Sequence, residues 1–300
     1  MESSLAFTDD GAAAAVPAGM DTGLHPADFA RLAGILTEEV GIKLPASKRT
    51  MLEGRMRSRI RALGFEDHAS YCAYVFEGGG LAEEFIHLID AVTTNKTDFF
   101  READHYDCLR DMLVPELLRL RKHETDPVLR VWSVASSIGA ELWSAGMILD
   151  DIVRSGRRFD FTMLGTDIST SVLRTAVRAV YPLEFLAPVP DVLRKRYLLQ
   201  PLDGKRNPTA RIVPELRGRA RFTRLNLMDS SYPLDGKFDV AFLRNVLIYF
   251  ERDDQEAVVR RVLSQLRTGG YLILGHSEAP VGSGLGLNQV HPAVFRKEQP

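Results

Sequence analysis

The feature that most constrains this chain is a change of period after Pro127. Residues 128–134 (VLRVWSV), 159–165 (FDFTMLG), 238–243 (FDVAFL) and 271–274 (YLIL) are short apolar runs. Helical spacing follows the first three, through residues 141–149, through Val172, Leu173, Ala176 and Val177, and through Val258, Val259, Val262, Leu263 and Leu266. A strand buried on both faces reads as a continuous apolar run, and strands alternating with helices call for a mostly parallel sheet covered by helices. In such sheets ligands bind in the crevice outside the carboxyl ends of the strands. Asp167, Arg244, Asn245 and Tyr249 follow these runs, and Asn226 lies at the end of a further strand-like segment at 222–227, so all five are candidates to face a ligand. Each also has a plainer reading: Asp167 as a helix N-cap, Asn245 as a turn residue and Tyr249 as packing under the next helix.

At 300 residues the chain exceeds the roughly 100–200 expected of one domain, so the α/β unit carries an additional part. Hydrophobic residues make up 45% and charged residues 26%, with a net charge of −2, which gives no global sign of a nucleic-acid partner. Cys72 and Cys108 lie in separate segments without metal-ligand spacing, so neither a disulfide framework nor a metal site is expected. Met1–Asp10 carries acids rather than a positive leader segment, and no apolar run reaches 18 residues. A cytoplasmic, monomeric protein that inserts no segment in a membrane is the expectation.

Three regions divide the chain. Residues 1–21 are poor in core-forming side chains and read as a disordered tail. Residues 22–92 read as an all-helical domain: Phe29, Leu32, Leu36 and Val40 share one face before Gly41, Leu52, Met56, Ile60 and Leu63 share another before Gly64, and two shorter helices flank Gly78-Gly79-Gly80. The second helix is the charge anomaly, since Lys48, Arg49, Arg55, Arg57, Arg59 and Arg61 face Glu53 alone between positions 48 and 61. A solvated face is one reading. The other is an acidic partner, and the absence of interleaved aromatic residues favours an acidic protein helix over nucleic acid. Residues 93–300 form the α/β domain, interrupted at about 194–222 by a Pro-rich stretch read as a small inserted β-subdomain.

The loop after the first strand, residues 134–141 (VASSIGAE), lacks the G-x-G-x-x-G of dinucleotide sites. A nucleoside ligand without phosphates needs less: a small-residue loop, a carboxylate for the ribose and a few amides and hydroxyls. S-adenosylmethionine is such a ligand, and Asn95, Thr97, Arg101, Glu141, Asp167, Asn226 and Asn245 supply such a polar set.

The segments TTNKTDFFRE, VWSVASSIGAE, LGTDIS, LNLMD, LRNVLIYF and GGYLILGHSE, in this order behind a basic helical module, resemble the CheR family of chemotaxis receptor methyltransferases from about residue 25 to 297. The resemblance implies a Rossmann-like class I methyltransferase sheet with an N-terminal all-helical domain. It implies transfer of a methyl group from S-adenosylmethionine to glutamate carboxylates of methyl-accepting chemotaxis receptors, whose cytoplasmic helices would meet Arg55, Arg57, Arg59 and Arg61. The cofactor positions carried over are Asn95, Thr97, Arg101, Glu141, Asp167, Asn226, Leu227, Asn245 and Val246, with Arg101 and Tyr249 beside the transferred methyl. No metal is implied.

The insert resembles the family's receptor-tethering subdomain, and the GHSE segment is a family signature without a role derivable from spacing. One loop departs from the pattern: Ala140 replaces an acid, Leu142 a proline and Trp143 a tyrosine. Losing a hydrogen-bonding carboxylate costs about 1–3 kcal/mol where its partner stays buried and unpaired. Weaker cofactor binding, or a non-catalytic docking protein of a chemosensory pathway, is the alternative that follows.

Overall fold

The computed structural model describes residues 23–93, 96–200 and 208–298. The expected tail at 1–21, Asn95 and the middle of the insert lie outside the described residues.

The N-terminal unit consists of α1 (Pro26–Val40), α2 (Arg49–Ala62), α3 (His68–Phe76) and α4 (Leu81–Val92). Local signals set its ends. The His25 side chain accepts from the Ala27 N–H at the start of α1, Gly41 closes it at φ 71°, and Asp67 and Ser70 form a reciprocal capping box on α3. The apolar stripes bury Leu32, Leu36, Leu52, Met56, Ile60, Tyr71, Val75, Leu88 and Ile89 in one core, against which Ile168 of the second unit also packs.

The second unit opens with α5 (Asp104–Cys108), which continues through a π turn at Leu109–Leu113 into α6 (Val114–Leu120). It goes on through β1 (Val128–Ser133), α7 (Ala140–Arg154), β2 (Asp160–Asp167), α8 (Thr170–Arg178), β3 (Val180–Pro182), α9 (Asp191–Tyr197), β4 (Leu198–Leu199) and β5 (Thr209–Ile212). Then come α10 (Pro214–Arg217), β6 (Ala220–Arg224), β7 (Phe238–Leu243), α11 (Arg252–Gln265), β8 (Leu266–Leu274), α12 (Ala279–Gly284), β9 (Asn288–His291) and β10 (Val294–Arg296).

Seven strands form the main sheet in the order β6-β2-β1-β7-β8-β10-β9. The first five are parallel, and β10 is antiparallel to both β8 and β9. All six residues of β7 are buried, including Asp239, which accepts the Arg130 N–H (2.7 Å) and pairs with Arg121, so the strand is covered on both faces as its otherwise apolar run predicts. The strand order reverses at β1, which pairs with β2 on one side and β7 on the other. The carboxyl ends of these three strands therefore open onto a topological switch point, where a crevice must form.

Three local readings of the sequence change: Gly269-Gly270 as the stop of the last long helix, about 194–222 as the whole insert, and Thr97 or Asp98 as the N-cap of the helix through Tyr106, Leu109 and Met112. Helix α11 ends at Gln265 rather than at Gly269, because buried Leu266 already pairs with Phe238. Gly269-Gly270 instead sits inside β8 at a register shift, with Gly269 at φ 79°, as glycine in a bulge does. The small sheet is β3-β5-β4, so it recruits residues 180–182 ahead of the expected start at about 194, while residues 220–224 pair with β2 in the main sheet. Finally, the helix after Asp98 begins only at Asp104, so neither Thr97 nor Asp98 is its N-cap.

Candidate active site

The switch point is a cleft of about 1000 Å³ including its open mouth. The second unit supplies most of it: Thr97 and Arg101 before α5, Ala135 and Ser137 after β1, Glu141 on α7, Asp167 at the end of β2, Asn226 and Leu227 after β6, and Asn245, Val246 and Tyr249 after β7. Val40, Ile42, Val92 and Thr93 of the helical unit close one side. Every described residue proposed from sequence to bind the cofactor thus reaches one cavity. Arg55, Arg57, Arg59 and Arg61 do not; they lie on α2.

Asp167 is buried at the strand end. Its Oδ2 accepts the Ser137 N–H (2.8 Å) and its Oδ1 the Ser169 N–H (3.0 Å). Burial raises its pKa above the usual carboxylate range, and those two N–H groups counter the shift. A carboxylate has about four lone-pair sites, so acceptor capacity remains toward the cleft.

The loop between β1 and α7 is held tightly. The Trp132 indole donates to Thr166 Oγ1 (3.0 Å), and that hydroxyl donates to the Val134 carbonyl (2.6 Å). Ser137 sits at φ 48° and Gly139 at φ 87°, where a Cβ would meet Trp143 Nε1 at 2.9 Å. Glycine is required there by conformation and by space.

Arg244, read from sequence as facing a ligand, lines the cleft, but its side chain is only 2% exposed and its charge is taken up within the protein. It lies between Glu141 (3.1 Å) and Glu102 (3.0 Å) and donates to the Arg101 carbonyl. Glu141 also accepts from the Ser133 hydroxyl (2.7 Å). Burial raises the Glu141 pKa, with Arg244 opposing the rise. For Glu102 burial acts in the same upward sense and is the largest influence, but the charge and hydrogen bond of Arg244, with the Asn245 amide and His105, together outweigh it and the pKa falls. One guanidinium thus holds two carboxylates at the floor of the cleft.

Glu102 carries no sequence signal of its own beyond following Phe-Phe-Arg. It stands at φ 55°, beside Phe100 at φ 53°, and accepts from the Asn245 side chain (3.3 Å), with Asn245 itself at φ 57°. Left-handed non-glycine residues are uncommon and collect at functional sites.

The helical unit is fastened to the cleft wall. Asn226 donates to the Glu39 carbonyl (2.8 Å), the Lys43 N–H to the Tyr249 carbonyl (3.2 Å), and Lys43 pairs with Glu251. A Cβ on Gly41 would meet Met228 and Phe250 at 2.7 Å. Asn226 therefore ties the two units together while lining the cleft.

Comparison with known proteins gives this geometry its context. Residues 95–289 match the CheR methyltransferase SAM-binding domain and residues 27–93 the CheR all-alpha domain. The chain belongs to the CheR methyltransferase family. It is 33% identical to a chemotaxis protein methyltransferase of Borreliella burgdorferi over 90% of this chain and 94% of that one. Identity to the enzyme of that name from Klebsiella aerogenes is 36%, over 85% of this chain and 84% of the other, and to that from Escherichia coli 35%, over 85% of each. Its cofactor is S-adenosylmethionine and its activity is methyl transfer in chemotaxis.

The residues present suit that cofactor. Its sugar calls for a buried carboxylate with spare acceptor sites, which Asp167 is, and its positive charges call for a wall bearing carboxylates, which Asp98, Glu141 and Asp167 provide. The departures from the family pattern do not touch this wall. Ala140, Leu142 and Trp143 are fully buried in the main core, Trp143 packing on Phe222 with ring centroids 5.5 Å apart, and none lines the cleft.

Proposed function

We propose that the chain methylates glutamate carboxylates on the cytoplasmic helices of chemotaxis receptors, with Arg101 and Tyr249 holding the substrate carboxylate and Asp167 holding the ribose. The observation that carries this is the placement of Arg101 and Tyr249 in the same cleft as Asp167 and Glu141. Bound S-adenosylmethionine supplies an activated methyl group on sulfur. A glutamate side chain has a pKa of about 4.3, so at neutral pH it is already a nucleophile and no general base is needed. When bound, the cofactor would give its methyl to one carboxylate oxygen, the sulfur keeping the electron pair of the broken C–S bond, and no proton would need to move.

The protein's work is alignment. Arg101, anchored by its Nη1 on the Lys96 carbonyl (3.2 Å), presents its guanidinium to an anion, and the Tyr249 hydroxyl offers a second donor. Thr97, Leu227, Asn245, Val246 and, from sequence, Asn95 complete the cofactor's surroundings. Glu141, which lines the same cleft, would hold its cationic end. Positioning of this kind contributes several kcal/mol to a displacement.

The test is calorimetric titration of S-adenosylmethionine and S-adenosylhomocysteine, followed by transfer of labelled methyl to a receptor cytoplasmic fragment and to its Glu-to-Gln counterpart. Asp167→Ala is expected to abolish binding. Arg101→Ala and Tyr249→Phe are expected to lower kcat while the cofactor stays bound. Label on the Glu-to-Gln fragment, or full turnover in both of the latter variants, would refute the assignment.

A further inference from the structure

One short turn grips both segments that carry the proposed reacting-end residues. After β8 the chain passes Gly275 into a single turn, His276–Glu278. Glu278 is 2% exposed. Its Oε2 accepts the N–H groups of Asn245 (2.7 Å) and Gly275 (3.1 Å), and its Oε1 that of Leu247 (2.7 Å). No lysine or arginine pairs with it among the described residues. Burying a carboxylate without a cation is costly, and here its acceptor sites go to backbone N–H groups of the loop between Arg244 and Phe250, whose first residue after Arg244 is the left-handed Asn245. Gly275 permits the approach, since a Cβ there would meet Glu278 Oε2 at 2.7 Å and Asn245 Nδ2 at 2.8 Å.

His276 holds the other segment. Its Nε2 donates to Asp104 Oδ2 (3.0 Å), and its ring stands edge-on to buried His105 with centroids 4.8 Å apart. Asp104 and His105 follow Arg101 by three and four residues. The turn therefore touches the start of α5 beside Arg101 through His276, and the loop of Tyr249 through Glu278.

We propose that the Gly275–Glu278 turn is a positioning device that sets the separation of Arg101 and Tyr249 across the bound carboxylate. The proposal rests on the roles given to those two residues above, and it assigns a task to a motif whose spacing suggested none.

The test measures kcat per cofactor-binding site, so that partly unfolded protein does not count. Glu278→Gln keeps size and one acceptor oxygen but sets an NH2 against a backbone N–H. Its kcat at saturating cofactor and receptor is expected to fall about 10- to 100-fold, as a displacement near 1 Å does, with the receptor KM nearly unchanged. His276 is half-exposed, and His276→Ala provides a foldable second probe, expected to lose about 3- to 10-fold in kcat. Asp104→Ala should lose the same, and the double variant no more than either single one, the sign of a shared contact.

Folded Glu278→Gln with wild-type kcat, or independent and multiplying losses from His276→Ala and Asp104→Ala, would overturn the proposal. Failure of the underlying reading looks different: Arg101→Ala and Tyr249→Phe would then retain kcat whatever the turn variants do.

Discussion

The cleft and the basic face of α2 both carry arginines and carboxylates, but the two regions use them differently. In the cleft, Arg244 is buried and shared by Glu102 and Glu141, so each charge is fixed by its neighbours. On α2 the count of basic residues overstates the free charge. Arg59 is spent on buried Glu84 through two hydrogen bonds (2.9 and 2.6 Å). Arg55 donates to the Ala91 and Thr93 carbonyls at the end of α4, and Arg57 pairs with Glu53 one turn away. Of the four arginines expected to meet a receptor, Arg59 is a structural member of its own domain and Arg55 caps a helix. Charge in a sequence becomes a binding surface only where the fold leaves it unspent.

The largest effect that would sharpen this contrast is at Arg244. Arg244→Met leaves the largely buried Glu102 and Glu141 (18% and 13% exposed) without a cation, a situation that costs up to about 3–5 kcal/mol where the group is fully buried. Thermal unfolding should shift sharply downward and cofactor binding should be lost. A variant with wild-type melting and affinity would mean that the pair is not the keystone of the floor.

Arg59→Ala should come next. Glu84 is 1% exposed, while the Arg59 side chain is about a third exposed, so the expected loss is about 2–3 kcal/mol, below that of a fully buried pair. Tyr71 retains its hydrogen bond to Glu84 (3.1 Å). The discriminating result is a loss of stability in denaturant melts of the same size with or without receptor present. A change confined to the receptor KM would instead place Arg59 in the interface.

His105 offers a smaller, pH-dependent effect from the cleft side. It is buried behind Arg244, and burial first, then the charge of Arg244, pushes its pKa down to about 4. The unfolded chain binds this proton below about 6.5, so between the two values the unfolded state holds more protons and stability falls as pH falls. The contribution is fully present above pH 6.5 and is lost through pH 4. The melting difference between the wild type and His105→Leu should shrink by on the order of 2 kcal/mol from pH 7.5 to 5. A difference independent of pH would refute the neutral, buried imidazole.

Much of this was legible in sequence because it rests on short-range patterns. The apolar runs mark β1, β2, β7 and β8, Gly41 ends α1, and the polar residues after the strands line the cleft. What was not legible depends on distant partners. Arg244 lines the cleft beside Asn245 and Tyr249, as its place at a strand end suggests, but the partners that take up its charge, Glu102 and Glu141, lie more than a hundred residues away. Glu278 acts through backbone N–H groups, which leave no mark in side-chain pattern. Strand β3 is three residues long and exists only because β5 pairs with it, and Gly269-Gly270 resembles a helix stop until β7 is alongside.

The smallest effect expected is also the one that defines the receptor face. Arg61 is exposed and, among the described residues, donates only to the Arg57 carbonyl of its own helix (3.3 Å), so no ion pair within the described domain depends on its charge. Arg61→Ala should change stability by less than about 0.5 kcal/mol. If α2 meets acidic receptor helices, the receptor KM should still rise about 2- to 5-fold at low salt, as removal of one rim charge does. The rise should vanish near 0.5 M salt, where the screening length has fallen to roughly 4 Å. Arg61→Glu should double the effect in logarithm, because it reverses the charge rather than removing it. Equal KM values for wild type and Arg61→Glu at low salt would remove this face of α2 from the interface and leave its arginines with the intradomain roles alone.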